Sequence, residues 1–171
     1  MIDFTGVKAI TIPEGAVKQI TRKSDGVVLW KSGPKNWLPL STEADGKTLY
    51  NNGLGYKSGT RLNSSASEVT LAGYGVCGYI PAKAGDTVRI KGVTWNSSTN
   101  TGGYFWTFDS SFTRLKSARP TVSSQDLTAS VDGNGVLVVK LAAYNTSVRY
   151  IRLSAYGLGA DTIITVNEEI T

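Results

Sequence analysis

The 171-residue chain contains no histidine and one cysteine, Cys77. Without imidazole there is no Ser-His-Asp or Cys-His nucleophile pair, no histidine metal site and no side chain whose ordinary pKa sits near neutrality. One thiol cannot close an intrachain disulfide or build a cysteine-ligated zinc site. Long apolar runs are also missing. The longest, Val136-Leu137-Val138-Val139, is far too short to cross a bilayer. The amino terminus, Met1-Ile2-Asp3-Phe4-Thr5-Gly6, has no basic segment followed by an apolar one. No secretory signal is read there, and synthesis in a cytoplasm is expected. Charge is sparse, 18% of residues, and dispersed: 18 Lys+Arg against 13 Asp+Glu, with no basic run longer than two. Nucleic-acid surfaces carry a denser basic stripe, so neither nucleic-acid binding nor membrane insertion is expected.

What remains is β-forming and turn-forming sequence. Helical periodicity is nearly absent, and period-2 alternation between Gly, Asn, Asp and Ser turns dominates. Three short strands are expected first: Val7–Ile12, ended by Pro13-Glu14-Gly15; Ala16–Arg22; and Val27–Lys31 after the hairpin signal Ser24-Asp25-Gly26. Ser32-Gly33-Pro34-Lys35-Asn36 breaks both strand and helix and reads as a linker. The expected organisation is a β-module over 1–32, a linker over 33–36 and a sandwich over 37–171.

In the larger unit, Asp86–Trp95 places Val88 and Ile90 on one face and Thr87, Arg89 and Lys91 on the other. Gly103–Asp109 places Tyr104, Trp106 and Phe108 together. Asp132-Gly133-Asn134-Gly135 is a tight turn feeding Val136–Ala142. In Val148–Tyr156, Ile151, Leu153 and Ala155 face one way, and Tyr150, Arg152, Ser154 and Tyr156 the other. Ile163–Ile170 closes the chain, with Ile164 and Val166 expected in the core. About ten such strands, each with one buried face, predict an all-β protein. A small three-stranded module precedes an antiparallel, jelly-roll-like β-sandwich.

Several stretches carry a resemblance. Val7–Lys31, with Ile12-Pro13-Glu14-Gly15 ahead of a hairpin ending in Leu29-Trp30-Lys31, resembles a short β-module of structural proteins from tailed phages and prophages of Gram-positive gut bacteria. Asn51–Leu62, Gly78–Trp95, Tyr150–Gly157 and Ile164–Ile170 look like a domain from the same kind of protein. These motifs are structural punctuation and none is a catalytic signature. The resemblance implies a non-enzymatic virion component of the tail, baseplate, a surface fibre or a decoration. It also implies a carbohydrate-binding-module-like sandwich and other virion proteins as partners. Homo-oligomerisation is expected because phage appendages are symmetric. A capsid decoration protein without a ligand and a free carbohydrate-binding module are the alternatives.

Aromatic side chains suit the apolar faces of sugars, and Asn, Arg and Ser suit their hydroxyls. Trp95 and Asn96 open a polar loop that runs to Gly103, and Tyr104 and Trp106 follow it. With the outward set Tyr150, Arg152 and Tyr156 they form the candidate glycan platform. The competing reading places the tryptophans in the sandwich core. Asp45, Asp86 and Asp109 are oxygen donors of the kind Ca²⁺ prefers, yet no Asp-rich calcium loop is present, and no cofactor beyond a structural Ca²⁺ is considered. Thirteen acidic residues make some carboxylate pair inevitable, so glycoside hydrolysis has no specific signal. Cys77, between apolar neighbours, is expected to be a buried, inert thiol.

Overall fold

The computed structural model describes Gln19–Thr21, Val28–Lys31 and the ranges 34–96, 102–120 and 126–170. Contacts divide the chain into two units, Met1–Gly33 and Pro34–Thr171. In the first, β1 (Gln19–Thr21) and β2 (Val28–Lys31) pair antiparallel, with Ile20 opposite Trp30 and a register break between Ile20 and Thr21. The expected first strand, Val7–Ile12, lies outside the described residues.

The second unit is an all-antiparallel sandwich. One sheet has the order β12-β6-β10-β9, from β6 (Thr87–Lys91), β9 (Leu127–Val131), β10 (Leu137–Leu141) and β12 (Ile163–Val166). The other runs β3-β4-β11-β7-β8, from β3 (Tyr56–Leu62), β4 (Glu68–Cys77), β7 (Tyr104–Phe108), β8 (Arg114–Ala118) and β11 (Tyr150–Tyr156). The short β5 (Ile80–Pro81) also pairs with β11. Between the hairpins β3–β4, β7–β8 and β9–β10 the chain crosses repeatedly from one sheet to the other, a jelly-roll-like arrangement.

Alternation explains the core. In β6, Val88 and Ile90 are fully buried while Lys91 is exposed. Registers Leu137↔Ile90, Val139↔Val88 and Ile164↔Ile90 line these residues into apolar rows on one face of the sheet. The facing sheet contributes Phe105, Ile151, Leu153 and Ala155. Each such aliphatic or aromatic side chain stabilises the fold by about 1.5–3 kcal/mol when fully buried. The turn after β9 forms as expected: Gly135 N–H donates to Asp132 C=O, and the Asp132 carboxylate accepts from the Asn134 and Val136 amides.

Two boundaries differ from expectation. β12 stops at Val166 because Asn167 takes a left-handed conformation (φ 60°). Asn167 then clips the sheet edge: its Oδ1 accepts from Thr87 N–H and its Nδ2 donates to Asp86. Ile164 is in the core, whereas Val166 is only half-buried. Lys35 and Asn36, placed in the linker by sequence, are tied into the sandwich. Asn36 Oδ1 accepts from the Leu38 and Ile164 amides, and Lys35 N–H donates to Glu168.

Candidate functional site

The expectation that each strand buries only one face fails in the six-stranded sheet, and this changes the predicted platform. β3 and β4 form a long hairpin whose register breaks between Ser58 and Thr60. Gly59 (φ 65°) and Gly73 (φ 79°) occupy the break, in backbone conformations that favour glycine. Beyond it the hairpin tip turns over the outer face of its own sheet. Leu62 N–H donates to Ser154 Oγ (3.0 Å), although β4 separates β3 from β11 in the sheet. Arg114 donates to Ser64 C=O (3.2 Å) from the far side. The tip itself closes on Asn63, whose Oδ1 accepts from the Ser65 and Ser67 amides.

Under this flap lies a second, smaller core of Tyr50, Leu62, Val76, Trp106 and Phe108. Its centre is polar. Arg152, with 5% of its surface exposed, donates to Cys77 C=O (3.0 Å), to Tyr50 Oη (3.3 Å) and to Glu68 Oε1 (2.7 Å). Tyr50 Oη donates to the same carboxylate oxygen (2.8 Å), and Lys57 Nζ approaches the other (3.2 Å). The guanidinium also sits over the Tyr79 ring at 4.8 Å. Burial opposes ionisation of Glu68, but hydrogen bonds from Arg152 and Tyr50 and the Arg152 charge outweigh it and hold the carboxyl below its ordinary value. Burial pushes the Tyr50 phenol up, reinforced by its bond to Glu68. Cys77 Sγ accepts from Leu153 N–H (3.1 Å), and burial pushes the thiol up to about 11. It is the enclosed cysteine expected from its neighbours.

The predicted platform is therefore dispersed. Arg152 and Ser154 are not outward: the flap buries both. Trp106 is 7% exposed and belongs to the second core. Trp95 joins the main core between the sheets, and Asn96 beside it is exposed. Of the loop that follows, 97–101 lie outside the described residues. Tyr150 is half-buried in a knot with Tyr79, Phe108 and Phe112, stacked on Phe112 at 4.6 Å. Of the aromatic rings in the set Tyr156 alone is well exposed, 41%, with its edge against Tyr74.

One connected cluster does emerge, part buried and part at the surface. Tyr104, half-buried, stacks near-parallel on Trp106 (6.4 Å, 11°). Arg61 lies over both Tyr74 (5.5 Å) and Tyr104 (5.9 Å). Arg119 lies over Tyr104 at 5.5 Å and donates to its hydroxyl (3.3 Å). Arg114 lies over Trp106 at 5.8 Å. Tyr156, Tyr74, Arg61, Tyr104 and Arg119 thus form a continuous series of contacts. Sequence reasoning found Tyr104 and Tyr156 but missed the three arginines. Arg114 and Arg119 lie on and just after β8, and only the folded-over hairpin brings the distant Arg61 to the group.

The candidate calcium donors are committed to turns. Asp45 accepts from the Lys47 and Thr48 amides and from the Thr48 hydroxyl, and the Thr48 hydroxyl, followed by those amides, draws its carboxyl down to about 2. Asp109 caps the β7–β8 turn through the Ser111 and Thr113 amides. Asp86 accepts from Lys83 N–H and from Asn167. Among the described residues, no three His, Cys, Asp or Glu side chains gather where they could hold a metal ion. Among them, too, no helix is long and apolar enough to cross a membrane. Comparison with family models, with curated proteins and with solved structures returned no match to this chain.

Proposed function

We propose that this chain is a non-catalytic structural protein of a tailed-phage particle, whose sandwich presents the Arg61–Tyr104–Arg119 surface to a host-surface glycan. The phage assignment rests on the resemblance of Val7–Lys31 and the four later stretches. The glycan assignment is carried by one observation: a half-buried tyrosine ring with two guanidinium groups within 5.9 Å of its centre, linked through Tyr74 to the exposed Tyr156. Rings of this kind meet the apolar face of a sugar, and the flanking N–H donors meet its oxygens. The remaining polar chemistry supports a binding role over a catalytic one. Glu68 is neutralised by Arg152 and Lys57, and Cys77 is enclosed. Attachment to the particle would use the short β1–β2 pair, which a partner strand can extend.

A ligand-free decoration protein is the second reading. The burial of Trp95, Trp106 and Arg152 favours it, because these residues are structural.

Glycan-array binding of the whole chain, together with immunogold labelling of particles, tests both. Array binding lost in Tyr156→Ala and Arg119→Gln, with label on the tail or another surface appendage, is the expected result. Label on the capsid without array binding establishes the decoration reading instead. Label absent from particles removes the virion assignment.

A further inference from the structure

Three guanidinium groups, those of Arg61, Arg114 and Arg119, gather over Tyr104 and Trp106 on the outer face. Among the described residues, Arg61 Nε and Trp106 Nε1 are buried with no hydrogen-bond partner. A buried donor left unmatched is costly, and native folds rarely leave one without a reason. Arg114 donates to a neutral oxygen, Ser64 C=O, and Arg119 to another, Tyr104 Oη. Among the described residues, no carboxylate lies within ion-pair distance of Arg61, Arg114 or Arg119. Glu68, which the folded hairpin also brings to this face, is already taken by Arg152, Tyr50 and Lys57. The segment after Pro120 offers no acid before Asp126, which pairs with Lys116.

From these three guanidinium groups, unpaired with any carboxylate among the described residues, we infer that the ligand class is an acidic polysaccharide, a sugar chain bearing carboxylate or sulfate or phosphate ester groups. The inference rests on the glycan reading above and adds its charge. Guanidinium groups match both kinds of anion with paired N–H donors. The geometry favours a sugar chain over a single-stranded nucleic acid. Base recognition without sequence preference needs successive open rings on which bases stack. Here Trp106 is covered, and Tyr74, which lies between Tyr104 and Tyr156 in the series, is buried, so no two open rings follow one another. One ring among three cations suits a hydroxyl-rich chain with spaced acids.

The test is affinity electrophoresis and titration calorimetry of the full chain with polygalacturonate, dextran sulfate, neutral dextran and oligo(dT). Polygalacturonate carries carboxylates and dextran sulfate carries esters, so the two arms identify the anion. Binding to at least one acidic polymer is expected to exceed binding to neutral dextran by about tenfold or more, and to weaken with salt. The double variant Arg114→Gln/Arg119→Gln, both at exposed positions, should lose about tenfold in affinity, equivalent to one 1.4 kcal/mol step. A control variant, Lys91→Gln/Lys140→Gln, removes the same charge from exposed positions on the other sheet and should change affinity less than about twofold.

Equal losses in the two double variants would mean that net charge alone attracts the polymer, and would overturn the inference. Tighter binding to oligo(dT) than to either acidic polysaccharide would overturn it as well. Neutral dextran bound as tightly as dextran sulfate would overturn it while leaving the glycan reading intact. No binding to any of the four polymers, alongside a positive glycan array with neutral sugars, has the same consequence. No binding in either assay removes both.

Discussion

The two faces of the six-stranded sheet are both covered, but by different chemistry. The inner face meets the second sheet through Phe105, Ile151, Leu153 and Ala155, with Val88, Ile90, Val139 and Ile164 opposite. Contacts of that kind are non-directional and scale with area. The outer face meets the folded-over hairpin through Leu62, Val76, Trp106 and Phe108, but around Arg152, Glu68, Tyr50 and Ser154. Apolar contacts alone would let the hairpin tip settle in several ways. The polar set allows one: Glu68 must reach Arg152, and Leu62 N–H must reach Ser154. The inner face thus supplies most of the stability, and the outer face fixes where the flap, and with it Arg61, comes to rest.

The largest break in this comparison is on the inner face. Phe105→Ala should destabilise the sandwich by about 3–5 kcal/mol, read as a lowered urea midpoint. Next comes the outer face. Arg152→Ala leaves Glu68 facing Tyr50 in a largely dry setting and should cost about 3 kcal/mol, at the low end for a broken buried pair because Glu68 keeps 28% of its side chain exposed. If the pair acts as a unit, adding Glu68→Leu to Arg152→Met should cost less than the two single changes summed. Additive losses would show the two residues to be independent and the flap to be held by Leu62 and Trp106 alone.

The sandwich was legible because inner-face alternation is a local pattern. Val88 with Ile90, and Ile151 with Leu153 and Ala155, read correctly from spacing alone. The outer face was not legible, and the reason is geometric. Alternation says that Tyr150, Arg152, Ser154 and Tyr156 share a face, which is true, but not that a distant hairpin will cover part of that face. An arginine between apolar residues looks solvent-directed until its partner, 84 residues earlier in the chain, folds onto it. Tyr104 and Trp106 were likewise read as one surface, yet the flap covers one ring far more than the other. The signal that was present is Gly59 and Gly73, two glycines inside otherwise strand-like sequence, where a bend or close approach is the usual cause.

A smaller effect separates the faces by pH. The Glu68 carboxyl is held below its ordinary value of 4.5 in the folded state, so its contribution to stability is complete above that value. It is lost as the pH falls from there through the lower folded-state pKa. Asp45, drawn down to about 2, loses its contribution in the same direction but at the surface. Urea midpoints measured between pH 6 and pH 2.5 should therefore fall on the acid side, and Glu68→Gln should flatten that fall. An unchanged acid limb in Glu68→Gln would place the pH dependence elsewhere.

The smallest change tests the bend itself. Gly59 has φ 65°, and an added Cβ there would meet nothing within 4 Å, so Gly59→Ala introduces backbone strain without a clash. The expected cost is about 1 kcal/mol. Gly59→Asn should cost less, because asparagine enters the left-handed region more readily than alanine. Gly73→Ala is the harsher counterpart, since its Cβ would lie 2.3 Å from the Tyr156 ring. If the left-handed turn at Gly59 sets the flap, the loss in Gly59→Ala should show as faster amide exchange at Leu62, whose N–H bonds to Ser154, with exchange at Ile90 in the inner core changed less. Equal acceleration at both amides would mean that the flap and the sandwich open together and that the two faces form one cooperative unit.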